Sequence, residues 1–155
     1  MGNDTGRPLT EGEVALAASM FGDAIDYAPV RIHHRTWAFF QPRNVVMATR
    51  GNIHFHPHGT LYRDDFAVEP IDLQALFVHE MTHVWQHQCG LFLPLRRHPF
   101  CRYGYALVPG RPFARYGIEQ QAEIVRHAFL LRNGAKLASA PSLDVYESLL
   151  PFGST

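Results

Sequence analysis

Hydrophobic and polar positions along this chain change period several times, and each change marks an element. Leu9-Thr10-Glu11-Gly12-Glu13 opens the first helical stretch. Thr10 can accept from the backbone three residues on, and Glu13 can reach back, the reciprocal pattern of a capping box. Val14, Ala17, Ala18 and Phe21 then recur at helical spacing, which predicts a helix ending near Gly22. From Pro29 the period shortens. Val30-Arg31-Ile32 and Thr36–Phe40 lean towards strand, and Asn44–Thr49 does so more strongly. Arg50-Gly51-Asn52 reads as a turn, with Ile53–His56 returning as a strand. Alternation puts Ile53 and Phe55 on one face and His54 and His56 on the other. Pro57 ends the run and suggests a sheet edge.

The strongest helical signal follows. Pro70 suits the start of a helix and Gly90 its exit, so Ile71 to about Gln88 should be helical. Leu73, Phe77, Val78, Met81, Val84 and Trp85 make it apolar nearly all round, which predicts a central, buried helix. Residues 91–113 are broken by prolines and glycines and read as irregular. A second long helix should run from about Arg115 to Arg132, with Ile118, Ala122, Val125 and Phe129 as its apolar stripe and Asn133-Gly134 as its stop. A short helix around 143–150 should close the pattern before Pro151. No repeat and no linker divides the chain, so residues 1–155 read as one α+β domain.

Composition narrows the partners. Fourteen basic residues balance fourteen acidic ones, which argues against an electrostatic binder of nucleic acid or membrane surfaces. No run of apolar residues is long enough for a membrane span. The first residues lack the layout of a secretory signal, so a cytoplasmic protein is expected, with export by a non-classical route as the alternative, and reduced thiols are expected at Cys89 and Cys101. Ten histidines are many for this length, and imidazole is the commonest protein metal ligand.

The buried helix carries the chemistry. His79-Glu80-Met81-Thr82-His83 is HExxH. Its two histidines share one helix face and can reach a single Zn²⁺. Glu80 lies about 100° round the helix from His79, within reach of a metal-activated water, and is the candidate general base. Zinc catalysis needs a third protein ligand and an open position. Glu119 and Glu123, four apart on the second helix, supply acidic candidates. A metzincin-type third histidine is absent, since Cys89 stands at its position.

HExxH followed by a helical Glu-x-x-x-Asp/Glu resembles the gluzincins, the thermolysin-like branch of the zincin metallopeptidases. The resemblance implies a zincin-like fold: a small twisted sheet, a central HExxH helix and a second helix bearing the glutamate ligand. It implies His79, His83 and Glu119 as zinc ligands. It implies Glu123, where thermolysin's pattern has Asp, as the group that hydrogen-bonds a ligand histidine, His79. It also implies an edge strand that pairs with the peptide, the role expected for Ile53–His56. Together with the segments around 9–32, 51–55, 77–86 and 119–125, the chain is similar to a family of small bacterial zinc peptidases, often labelled Vgr-related or Rhs-element-associated.

The expected function is therefore hydrolysis of a peptide bond in a peptide or protein substrate, with a secretion-system protein as a further partner. The alternative is a zinc-stapled interaction module of such a system, without catalysis. Oxyanion stabilisation needs a donor. Tyr105, and Tyr116, which lies three residues before Glu119 and so reads as facing the same side, are the first candidates, with Tyr103, Arg126 and His127 behind them. His87 reads as a surface or supporting residue. His54, His56 and His58 read as lining the cleft, with a second metal site as the alternative.

Overall fold

A computed structural model describes residues 6–34, 46–91 and 104–152. The expected strand at 36–40, the first part of the one at 44–49, Cys101 and Tyr103 lie outside these residues. The described chain is a mixed α+β arrangement. Four short strands, β1 (Arg7–Pro8), β2 (Arg31–His33), β3 (Met47–Thr49) and β4 (Asn52–His54), form one sheet in the order β1-β2-β4-β3. Four α-helices accompany it: α1 (Glu11–Phe21), α2 (Ile71–Gln88), α3 (Ile118–Arg132) and α4 (Leu143–Leu149).

Local chemistry sets the ends of these elements. The Thr10–Glu13 capping box forms as read, and Glu13 does more than cap. Its fully buried carboxylate takes both terminal nitrogens of Arg7, at 2.8 and 2.9 Å, and the Phe66 N–H at 2.9 Å. One acid thus ties β1, α1 and the turn before α2 together, and its charge is matched by Arg7. The β3–β4 hairpin closes through Arg50 and Gly51, both at positive φ (53° and 79°), with Thr49 opposite Asn52. Two positive-φ residues in a two-residue loop match the twist of the strands they join.

The sheet corrects one expectation. Strand β4 is not an edge. It pairs in parallel with β2 (Ile32 opposite Ile53, His33 opposite His54) and antiparallel with β3, so both its sides are occupied. Pro57 follows the strand instead of lying in it, and among the described residues β3 and β1 are the outer strands. The alternation was read correctly for Ile53 and Phe55, which are buried in the core. His54 is buried as well, its ring stacked on His33 at 4.4 Å.

Helix α2 sits at the centre, between the sheet on one side and α3 on the other. All eight residues from Phe77 to Val84 are buried. Phe77, Val78, Met81 and Val84 are at most 1% exposed. Burial of such side chains stabilises by about 1.5–3 kcal/mol each, which offsets the cost of placing His79, Glu80 and His83 in the same interior. Aromatic rings close both ends of the core: Phe66 stacks on Phe55 and Phe77, and Phe152 packs edge-on against Phe21 and Trp85.

Candidate metal centre

Helix α3 begins three residues later than the Arg115 expected from the sequence, at the first residue of its apolar stripe. A 3-10 turn at Phe113–Arg115 comes first, Tyr116 and Gly117 are extended, and the helix starts at Ile118. Gln120 Oε1 accepts the Gly117 N–H and closes that start. Glu119 therefore stands in the first turn of α3, where the helix dipole favours a carboxylate. Packing of α3 against α2 brings this carboxylate to the HExxH face.

There His79, His83 and Glu119 converge. One ligand-type atom from each lies within 4.8 Å of the others, and all three residues are buried. Glu119 Oε1 is 2.7 Å from His83 Nε2 and 3.2 Å from His79 Nε2. Two imidazole nitrogens and one carboxylate oxygen around a common point are a donor set that suits zinc. The residues present fit such an ion, because each imidazole is held by its far nitrogen and leaves Nε2 facing the common point.

The far nitrogens are held differently. His79 Nδ1 donates to Glu123 Oε2 at 2.9 Å. Arg126 grips Glu123 through Nε and Nη2, at 2.6 and 3.1 Å, and so fixes the longer glutamate side chain in place. His83 Nδ1 lies 2.8 Å from Gln86 Oε1. The Gln86 amide nitrogen donates to Ile118 O and to Gln121 Oε1, so its oxygen is the acceptor for His83 Nδ1–H. That bond assigns the tautomer whose Nε2 is available to a metal. Gln86 is fully buried and bridges α2 to the start of α3. Sequence reasoning read Gln86 only as a packing or hydrogen-bonding residue near the helix end and Arg126 only as an oxyanion candidate, and it missed their partners and Gln121. Only the HExxHxxQ spacing, with Gln86 on the next turn from His83, pointed to the role of Gln86.

The remaining candidates are placed as follows. Glu80 is buried at 4% exposure, and its charge raises the basicity of His79. Tyr105 bonds through its hydroxyl to His127 and Tyr146, at 2.5 and 2.7 Å. The Tyr116 hydroxyl accepts the Val108 N–H at 2.9 Å, and Arg111 lies over its ring. The Tyr116 hydroxyl is thus engaged by the 107–111 loop. His87 is half-buried and packs near Gly51. Among the described residues, His54, His56 and His58 do not form a metal-type cluster, whereas His79, His83 and Glu119 do.

Protonation of the centre follows from its charges. Burial lowers the His79 pKa, but the hydrogen bonds to Glu119 and Glu123 and the charges of Glu80 and Glu119 outweigh it and raise it to about 9. Burial raises the Glu123 pKa, yet His79 and Arg126 pull it down to about 2. In the metal-free protein the His79 contribution to stability is full below about 6.5 and is lost as pH rises through about 9. That of Glu123 is present above its ordinary value and is lost as pH falls through about 2. A metal ion must displace the His79 proton. Zinc affinity, measured by chelator competition, is therefore expected to rise by about tenfold per pH unit between pH 6 and 8. Affinity independent of pH would show that His79 is already neutral there.

With this geometry in view, the chain can be set beside known proteins. No family model matches it. It is 42% identical over 149 residues to the type VI secretion system spike protein VgrG2b of Pseudomonas aeruginosa. That alignment covers 90% of this chain and 14% of the spike protein, so the chain spans about a seventh of that relative. The structure superposes on the effector domain of Pseudomonas aeruginosa VgrG2b with a TM-score of 0.75 and 39% identity, covering 84% of this chain and 77% of that domain. Identity and coverage at this level, over sequence and fold together, place the chain in the family of VgrG2b effector domains.

Proposed function

We propose that the chain is a zinc-dependent peptidase with a zincin-like fold, and that it acts as an effector domain associated with a type VI secretion spike. The observation that supports this most is the convergence of His79, His83 and Glu119 beside a buried Glu80. When bound, zinc supplies Lewis acidity, which acidifies a water and polarises a carbonyl. His79, His83 and Glu119 hold the ion. Glu123 and Gln86 keep the two imidazoles turned towards it, and Arg126 keeps Glu123 in place. Glu80 takes the proton of the attacking water and passes it to the leaving amine. The kinship with a spike protein also moves the expected place of action. Of the two expected places, cytoplasm or export by a non-classical route, it favours export by the secretion machinery. Among the described residues no helix is long and apolar enough to cross a membrane.

A second reading is a zinc-stapled interaction module of the spike, without catalysis. The description of the relative as a spike protein favours it. A staple has no use for a buried general base next to the ligands, and Glu80 is such a group. The two readings separate in a peptide-library assay on zinc-loaded protein. Cleavage that stops on chelation and returns with zinc supports the peptidase. Stoichiometric zinc with no cleavage of any library member would leave the module.

A further inference from the structure

The face of α3 that carries Glu119 continues beyond the candidate centre. Glu123 and His127 follow at i+4 and i+8, each about 6 Å farther along the helix axis. Both line a cavity of about 610 Å³, walled also by Tyr105, Leu137, Pro141 and Tyr146. The cavity therefore borders the candidate centre through Glu123, which also holds His79.

Its polar groups form one directed chain. Arg126 Nη2 is 3.2 Å from His127 Nε2, and arginine can only donate, so Nε2 accepts. Burial and the Arg126 charge hold the His127 pKa below its usual value, and the neutral ring then carries its hydrogen on Nδ1. That hydrogen points at the Tyr105 oxygen, 2.5 Å away. Tyr105 in turn donates to the Tyr146 oxygen at 2.7 Å. The Tyr146 hydrogen closes the chain and has no further acceptor among the described residues. Every bond runs the same way from a fixed cation, and each polarises the next. The polarised Tyr146 hydroxyl, on a side chain 1% exposed, thus ends the chain at the wall of a cavity whose apolar side is Leu107, Leu137 and Pro141 and whose other polar side chains include Glu123, His127 and Ser139.

We infer that this cavity is a binding subsite for one side chain of a peptide substrate, with an apolar stem and an uncharged hydrogen-bond acceptor at its tip, such as glutamine, which takes the hydrogen of Tyr146. The apolar wall suits the stem. Glu123 at the cavity border is already engaged by His79 and Arg126, so neither an anionic nor a cationic tip finds a free counter-charge there. The peptide nature of the ligand rests on the peptidase reading, but binding can be measured without turnover.

The test is an NMR titration of the zinc-loaded protein with N-acetyl-glutaminamide and N-acetyl-leucinamide, which differ at the tip. The glutamine probe should shift the amide signals of Leu137 to Tyr146 and bind about tenfold more tightly than the leucine probe, the worth of one well-made hydrogen bond. Tyr146→Phe keeps the ring and removes the donor, and should erase that tenfold preference. Ala140→Leu narrows the cavity with the donor intact, and should weaken both probes. It serves as the check if Tyr146→Phe does not fold. Shifts elsewhere, equal affinity for the two probes, or full binding by Ala140→Leu would overturn the inference. Selective binding without any peptide cleavage would instead sink the peptidase reading and leave the subsite standing. Cleavage without selective binding would do the reverse.

Discussion

Replacing Glu80 by glutamine should lower the turnover of peptide substrates by about 10²–10⁴-fold, the usual worth of a positioned general base. Zinc content should stay at the parental level. The substitution keeps the size and shape of a buried side chain that is 4% exposed, so packing around α2 has no reason to change. What it removes is the capacity to take a proton. It also removes one negative charge beside His79, and that charge helps to raise the His79 pKa. The His79 proton therefore leaves more easily, but the same lost charge would also have attracted the dication, so the two effects on zinc affinity oppose each other. The expected signature is a fall in kcat with KM little changed and metal retained, since Glu80 acts on the water and does not hold the substrate. Steady-state kinetics paired with metal analysis by mass spectrometry reads both. Turnover equal to that of the parent would remove Glu80 from the mechanism. Loss of zinc together with turnover would make it a ligand.

The parts of this centre that were legible in the sequence are those whose signals are local. The Thr10–Glu13 box, the Pro70 start of α2 and the i, i+4 spacing of His79 and His83 each depend on a few neighbouring residues. Glu119 and Glu123 were readable for the same reason, being one turn apart on an apolar-striped helix. The start of α3 was less so. The expected start at Arg115 lies three residues before the first residue of the apolar stripe, Ile118, where Gly117 and the Gln120 side chain set the true start. The place of β4 in the sheet depends on its parallel pairing with β2, across some twenty residues, and no alternation pattern encodes that.

The polar supports were hidden for a different reason. Gln86, Gln121, Arg126 and Tyr146 take their meaning from which groups they face across helices, and amides, arginine and tyrosine are common on helices for other reasons. Tyr116 shows the converse. Its three-residue spacing from Glu119 means a shared face only if the segment is helical, whereas the backbone at Tyr116 and Gly117 is extended and the hydroxyl takes the Val108 N–H.

Glu119→Ala should weaken zinc binding by more than the roughly 10–100-fold that follows loss of an outer-shell partner. The reason is geometric. Glu119 Oε1 is the group that lies close to both Nε2 atoms, and without it two imidazoles remain, fewer protein donors than a catalytic zinc site holds. Glu123→Ala is the calibrating variant. It leaves the three ligand candidates in place and frees only His79 Nδ1, so its loss should stay within the outer-shell range. The metal-free proteins give an independent reading of the same contacts. Removing Glu119 deletes one of the two carboxylate hydrogen bonds that hold the His79 pKa near 9, so the value should fall and zinc binding should release less proton at neutral pH. Chelator competition and proton release, measured on both variants with the fold checked by circular dichroism, separate the roles. Unchanged affinity in Glu119→Ala would take Glu119 out of the ligand set. A loss in Glu123→Ala as large as that in Glu119→Ala would exchange the two acids. If only Glu119→Ala loses zinc and both variants keep their helices, the metal is bound across α2 and α3, as the convergence of His79, His83 and Glu119 requires.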